Sequence, residues 1–231
     1  MAAPTTENQR VEDDLWDQGY ARLGVMLSGA ECDALRLHYF TQSLFRRTID
    51  MQRYRFGRGE YRYFNYPLPK RVQAVREHLY EVLSPVAGRW MDALGTPQKF
   101  PQTLAKFLQN CHANGQCRPT PLLLHYRPGD FNCLHQDVYG AIVFPFQVIV
   151  GLSAPGQDYG GGELLLVEQR PRSQSVGHAL LPEKGEAIAI TTRYRPVRGI
   201  RGFYRASLRH GVSRLTWGER FSLGLIFHDA S

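Results

Sequence analysis

Leu122-Leu123-Leu124-His125-Tyr126-Arg127-Pro128-Gly129-Asp130-Phe131-Asn132-Cys133-Leu134-His135-Gln136-Asp137 is the stretch on which the fold turns. Three leucines running into Tyr126 begin as a strand, and Pro128-Gly129 supplies a turn. His135 and Asp137 follow, two apart. On a strand, residues i and i+2 point the same way. An imidazole and a carboxylate therefore stand side by side on one rigid element. Two histidines and one carboxylate hold non-haem Fe(II) and leave positions open for substrate and O2; this pair is two-thirds of that set. Taken alone, it reads more simply as a surface turn with a hydrogen-bonded histidine, so the rest of the chain has to decide.

Downstream, the chain is a series of short β-rich runs parted by turns: 120–126, 142–152, 163–168, 187–191, 195–197, 208–213 and 221–227. Seven or so such strands are what a jelly roll or barrel needs. His210 stands 73 positions after Asp137 and opens His210-Gly211-Val212, so it can lie on a later strand of the same barrel as a third ligand. Arg220 and Ser222 again share one face of a strand. Their chemistry suits a dicarboxylate, because Arg binds a carboxylate through two parallel hydrogen bonds and the hydroxyl adds a donor. The Tyr126 phenol can join the same carboxylate.

Upstream, the chain reads as helical. Residues 1–10 are expected to be disordered, with a short helix from Val11 to Gly19. Ser28 with Glu31 forms a capping box, and the apolar face of Leu35, Leu37, Phe40, Leu44 and Phe45 predicts a helix from about Gly29 to Ile49. Another helix is expected from Lys70 to Leu83, continuing past Pro85 toward Leu94, and one more through Leu104 and Leu108, ending at Gly115. Between them, Arg46 to Tyr66 alternates arginine with aromatics around Gly57 and Gly59, which predicts a hairpin or ordered loop. The class expected is α+β, mainly β. Residues 1–118 form a helical region with an Arg/aromatic lid at about 46–66, and residues 119–231 form the β core, all in one integrated domain.

Composition narrows the function. In 231 residues, 43% are hydrophobic and 12% aromatic, enough to build a core and too many for a disordered chain. No apolar run reaches the ~18 residues of a membrane span. The opening residues are polar and lack the apolar centre of a signal peptide, so a cytoplasmic protein without membrane attachment is expected. The four cysteines are then expected as free thiols. The net charge is +7, carried mostly by arginine, with pI near 9.4. That points to an anionic partner, nucleic acid or acidic metabolite alike.

The motif order resembles the Fe(II)/2-oxoglutarate-dependent dioxygenases: His-x-Asp, a distant His, then Arg near the last strand. Within them, Tyr126-x-Pro128-Gly129 followed by Leu134-His135-Gln136-Asp137 is similar to the metal strand of the AlkB-type nucleic-acid repair oxygenases. Gly160-Gly161-Gly162-Glu163-Leu164, His210-Gly211-Val212 and Arg220-Phe221-x-Leu223 match as well. The chain also looks like a bacterial family of predicted oxygenases acting on damaged DNA. The resemblance covers about Leu122 to Phe227. It implies a double-stranded β-helix core, with Fe(II) on His135, Asp137 and His210. It also implies 2-oxoglutarate and O2 as co-substrates, the former on Arg220, Ser222 and Tyr126. The activity implied is oxidative dealkylation of bases in DNA. The chain departs from the AlkB pattern at Leu124, Ser222 and Ile226, and base recognition does not carry over, because Tyr139 stands where the AlkB type has the acidic residue that reads the base.

Two basic stretches suit a polyanion. One is 46–66, with Arg53 and Arg55. The other is 193–209, with Arg198 and Arg201. Arginine interleaved with aromatics offers phosphate neutralisation and base stacking. Phe64 or Tyr139 is expected to stack on the base, which must be flipped or single-stranded. The protein is expected to act as a monomer on damaged or single-stranded DNA. The alternative is a 2-oxoglutarate-dependent hydroxylase of a protein side chain or small metabolite.

Overall fold

Three strands buried along their whole length, Phe146–Gly151, Glu186–Thr191 and Arg220–Ile226, organise the molecule. The computed structural model describes residues 7–96 and 98–231. The elements run α1 (Glu7–Gln18), β1 (Tyr20–Val25), α2 (Gly29–His38), β2 (Phe45–Asp50), β3 (Gly57–Arg58), β4 (Glu60–Phe64), α3 (Lys70–Ala93), α4 (Leu104–Ala113), β5 (Leu122–Tyr126), β6 (Phe131–His135), β7 (Phe146–Gly151), β8 (Tyr159–Gly161), β9 (Leu164–Gln169), β10 (Val176–Leu180), β11 (Glu186–Thr191), β12 (Tyr194–Gly199), β13 (Gly202–Val212), β14 (Leu215–Gly218) and β15 (Arg220–Ile226).

The major sheet has the order β1-β11-β7-β15-β5-β4-β2, and the facing sheet β10-β9-β13-β6-β3, with β12 hairpinned on β13. The period of two decides what each side buries. On β7 and β11, Val148, Val150, Ala187 and Ala189 face outward into a core shared with α1 to α4. Between them, Ile149, Ile188 and Ile190 face inward against Leu164, Leu166 and Leu180 of the facing sheet. Each such large side chain contributes about 1.5–3 kcal/mol by leaving water. This is the mainly-β jelly roll expected, with helices on one outer face. No described helix is long and apolar enough to cross a membrane.

The N-terminal elements correct the sequence reading. Helix α1 begins at Glu7, inside the segment expected to be disordered; residues 1–6 lie outside the described residues. The capping box on Ser28 forms, but α2 stops at His38 rather than near Ile49. Its apolar face is only part-used, since Leu37 and Phe40 stay 70% and 64% exposed. Phe45 to Asp50 instead pairs as β2 with β4, because aromatic and β-branched residues there fit the open edge of the sheet. Strand β4 in turn pairs with β5, so much of the Arg/aromatic stretch is woven into the major sheet. Strand β1 went unforeseen. It pairs with β11, and its alternation is short: Ala21 and Leu23 are buried on either side of exposed Arg22. Pro85 sits inside a single continuous helix, α3.

Candidate active site

Strand pairing brings the distant histidine home. On the facing sheet, His210 of β13 is the direct cross-strand partner of His135 of β6, and their rings lie 4.2 Å apart. Strand β6 ends at His135, so Asp137 sits in the extended turn beyond it. Gln136 pins that turn by donating to the carbonyls of Arg193 and Leu208 and to Ser207 Oγ. His135 Nε2 is 3.5 Å from Asp137 Oδ1, and His210 Nε2 is 3.3 Å from Oδ2. The donor atoms of the three all fall within 4.8 Å of one another.

This donor set fits an iron ion. Both Nε2 atoms converge on the carboxylate, while both Nδ1 atoms are engaged behind. His135 Nδ1 meets the Cys133 carbonyl at 2.8 Å, and His210 Nδ1 meets the Gln147 amide at 3.4 Å. That arrangement leaves Nε2 of each ring free for metal. Burial raises the Asp137 carboxyl, but the two imidazoles beside it prevail and hold it well below the usual carboxylate range. Burial and the neighbouring His135 push His210 down, keeping it neutral.

Next to the triad is a buried cation without an anion. Arg220 is 2% exposed and lies opposite Tyr126 in the β15–β5 register. Its Nη1 donates to Ser222 Oγ at 3.2 Å. Its Nε and the Tyr126 hydroxyl are both buried without a hydrogen-bond partner, and Arg220 pairs with no carboxylate among the described residues. Burial pushes the Tyr126 phenol up to about 12, against the pull of Arg220, so it is a donor at neutral pH. Burying a charge alone costs several kcal/mol. A carboxylate entering here finds a guanidinium and two hydroxyls waiting. All six residues line one cavity of about 330 Å³, with Ile149, Leu164 and Val212 as apolar wall.

The expected substrate residues divide. Arg55 lines the cavity mouth together with Phe56. Both are held there by β3, which pairs with the metal strand itself, and the Cys133 amide donates to the Phe56 carbonyl at 2.8 Å. Gly57 makes that approach possible: at φ 137°, a Cβ would lie 2.3 Å from the Phe131 carbonyl oxygen. Arg53 is exposed in the turn nearby, off the cavity wall. Phe64 is fully buried, stacked 4.8 Å from Phe45 in the helix-side core, and cannot reach a base. Tyr139 lines the cavity, but its hydroxyl donates to Asp137 Oδ1 and accepts from Tyr63 at 3.1 Å. Its hydroxyl is thereby committed to the Asp137 carboxylate. Arg198 and Arg201 sit at the far tip of the β12–β13 hairpin. Arg198 faces Phe203, seven residues or ~23 Å of strand from His210, and Phe203 packs on Trp16. They are remote from the cavity. Arg195, in the same stretch, is buried in a pair with Glu168.

Gln147 was missed. The signal was there: a lone amide in the apolar run 144–150, at an inward position alternating with Ile149.

A jelly roll that gathers two imidazoles and one carboxylate beside a solitary buried guanidinium defines a mononuclear oxygenase. Residues 59–230 match the family model described as an oxygenase catalysing oxidative methylation of damaged DNA, and the chain belongs to that family. Uncharacterized proteins from two strains of Mycobacterium tuberculosis are 48% identical over 168 residues, which is 73% of this chain and 72% of theirs. Among solved structures, a Pseudomonas putida prolyl-4-hydroxylase superposes with a TM-score of 0.58 at 15% identity, covering 98% of this chain and 100% of its own. A Trichoplax adhaerens prolyl hydroxylase, solved with a hypoxia inducible factor peptide, gives 0.61 at 14%, covering 96% and 89%. These two share the fold.

Proposed function

We propose that this protein is an Fe(II)- and 2-oxoglutarate-dependent dioxygenase that oxidises alkyl groups on damaged DNA bases, acting as a cytoplasmic monomer in DNA repair. One observation carries the cofactor reading: the Arg220 guanidinium is buried without an anion, in the same cavity as the triad. His135, Asp137 and His210 would hold the iron, and the far carboxylate of 2-oxoglutarate would rest on Arg220, Ser222 and Tyr126. So loaded, the centre supplies oxidation of an unactivated C–H bond by O2, coupled to conversion of 2-oxoglutarate to succinate and CO2.

The chain's own residues do the rest. Tyr139 fixes the orientation of Asp137. Gln147 and the Cys133 carbonyl fix the imidazole tautomers. Ile149, Leu164 and Val212 keep water from the reacting carbon. Arg55 and Phe56, on the 46–66 lid, stand where an extruded base enters. If the oxidised carbon is an N-methyl group, the N–CH2OH product breaks at its C–N bond, releasing formaldehyde and the free amine nitrogen. The net result is methyl removal. The family description and the basic, aromatic mouth both favour a nucleic-acid substrate over a protein side chain or small metabolite.

The test is succinate release with methylated and unmethylated oligonucleotides. Lesion-dependent succinate together with formaldehyde is the expected result. Turnover indifferent to nucleic acid would leave the oxygenase standing and return the substrate to the peptide or metabolite class.

A further inference from the structure

A second groove, of about 300 Å³, opens on the same face of β2 and β4 as the active site, toward the edge of the major sheet. Three of its walls are arginines: Arg46, Arg47 and Arg118. Arg46 is fixed, its Nε donating to the Pro119 carbonyl at 2.9 Å and its guanidinium lying 4.6 Å over the Tyr63 ring. Arg47 and Arg118 are exposed and lie near enough for their charge to bear on Arg46. None of the three forms an ion pair with a carboxylate among the described residues, whereas Arg22, Arg58, Arg76 and Arg195 each do. Beside them, Tyr54 and Phe56 stack on each other with centroids 5.7 Å apart and planes within 20°. They remain 41% and 48% exposed. Arg47 Nη2 donates to the Tyr54 hydroxyl at 3.3 Å, holding the aromatic pair against the cationic cluster.

The groove adjoins the active site. Phe56, Tyr61 and Tyr139 each form wall in both cavities. We propose that this groove is a flanking-nucleotide subsite: its arginines take the phosphodiester next to the target nucleotide, and the Tyr54–Phe56 platform takes the neighbouring base. The inference rests on the nucleic-acid reading above and narrows it. Asp229 is near enough for its charge to reach Arg46, but it is already paired with Arg76; like charges gathered without a direct carboxylate partner attract an anion, and guanidinium planes suit phosphate oxygens. An exposed aromatic pair adds stacking that any base can use. A phosphodiester beside a base occupies both features, whereas an acidic peptide uses only the cations. The substrate is thus a strand of at least two nucleotides, and a free methylated nucleoside is a poor one.

The experiment is fluorescence anisotropy with a labelled, methylated, short single-stranded oligonucleotide, run across a salt series on the full chain. The variants are Tyr54→Ala, the double substitution Arg47→Ala with Arg118→Ala, and Arg47→Lys with Arg118→Lys. Thermal melting confirms that each is folded. Tyr54→Ala is expected to weaken binding about tenfold, the scale of removing one base stack. The double Ala variant should weaken it similarly and lower the salt slope by roughly 0.7 for each phosphate it no longer neutralises. The double Lys variant should keep the slope. Turnover of the methylated oligonucleotide should exceed that of the methylated nucleoside in the wild type, and the difference should shrink in the Ala variants.

Wild type that binds and demethylates the oligonucleotide, with variants that do the same, overturns the subsite alone. Wild type with no binding and no lesion-dependent turnover overturns the subsite and the DNA reading together. Polyglutamate competing as strongly as unlabelled oligonucleotide overturns the subsite as well, since it marks a general anion surface.

Discussion

Tyr139 joins the metal carboxylate to the body of the protein. Its hydroxyl donates to Asp137 and accepts from Tyr63, so the phenol fixes one carboxylate oxygen in place. Burial, then the Asp137 charge, drives its own acidity well beyond reach at neutral pH, so it remains a donor. Replacing Tyr139 with Phe removes that donor and leaves the ring. Iron affinity is expected to fall about 10- to 100-fold, the usual cost of removing such a partner, while the melting temperature shifts little. Ferrous titration with a chromophoric chelator measures it, and an unchanged affinity would remove Tyr139 from the site. At this scale the candidate ligands stand out in the sequence because their chemistry is local: a His-x-Asp, a later His-Gly, an Arg-x-Ser. The supporting groups were not, because a tyrosine two residues past a ligand can turn toward the metal or toward substrate, and only packing decides. Phe64 shows the same limit. In an Arg/aromatic stretch, nothing in its type says that it faces Phe45 in the core rather than solvent.

Strands β6 and β13 are the elements on which the site depends, and one glycine sets their spacing. Gly211 follows His210 at an irregularity in the β13–β6 register. A Cβ there would lie 2.6 Å from the Asn132 carbonyl oxygen and 3.1 Å from that of Cys133. Both are backbone atoms of the metal strand and cannot move aside cheaply. Gly211→Ala is expected to push β13 from β6, at a cost of about 1–3 kcal/mol, and to weaken iron binding by separating the two imidazoles. Chemical denaturation and metal titration read the two effects; an alanine variant with wild-type values for both would refute this role for Gly211. The β-rich second half was readable at this scale because buried strands are apolar and bounded by turns. The end of α2 was not. Leu35 through Phe45 carries helical spacing, and only the unpaired edge of β4, fixed by residues far along the chain, draws Phe45 to Asp50 into a strand. Strand β1 likewise forms because β11 needs a neighbour.

For the whole molecule, acid is the expected weakness. His228 is fully buried; its Nδ1 accepts the Phe144 amide at 3.2 Å, and its Nε2 has no partner among the described residues. Burial pushes it down from 6.5 to about 4. The folded state therefore refuses a proton that the unfolded chain takes up below about pH 6.5. Stability should fall as pH drops from about 6.5 to 4, by up to about 3 kcal/mol from this group, and then level off with respect to it. His228→Asn keeps an acceptor for the amide and cannot charge, so its denaturation midpoint should be flatter over that window; an equally steep decline would acquit His228. The jelly roll and the cationic balance were visible in composition and pattern, yet the basic stretches were not alike in use. Arg46, Arg47, Tyr54, Arg55 and Phe56 of the first border the two cavities. The 198–205 hairpin instead packs away from them, with Phe203 on Trp16 of α1 and Arg205 on the Leu94 carbonyl at the end of α3, because β13 runs far beyond His210. The central claim is that Arg220 waits for the far carboxylate of 2-oxoglutarate beside a ferrous triad. Anaerobic calorimetric titration of the iron-loaded protein with 2-oxoglutarate addresses it most directly. Wild type should bind one equivalent, and Arg220→Met should bind at least ~30-fold more weakly while holding iron as before, the scale expected when one partner of a buried ionic pair is removed. Equal affinity in the two proteins would contradict the claim.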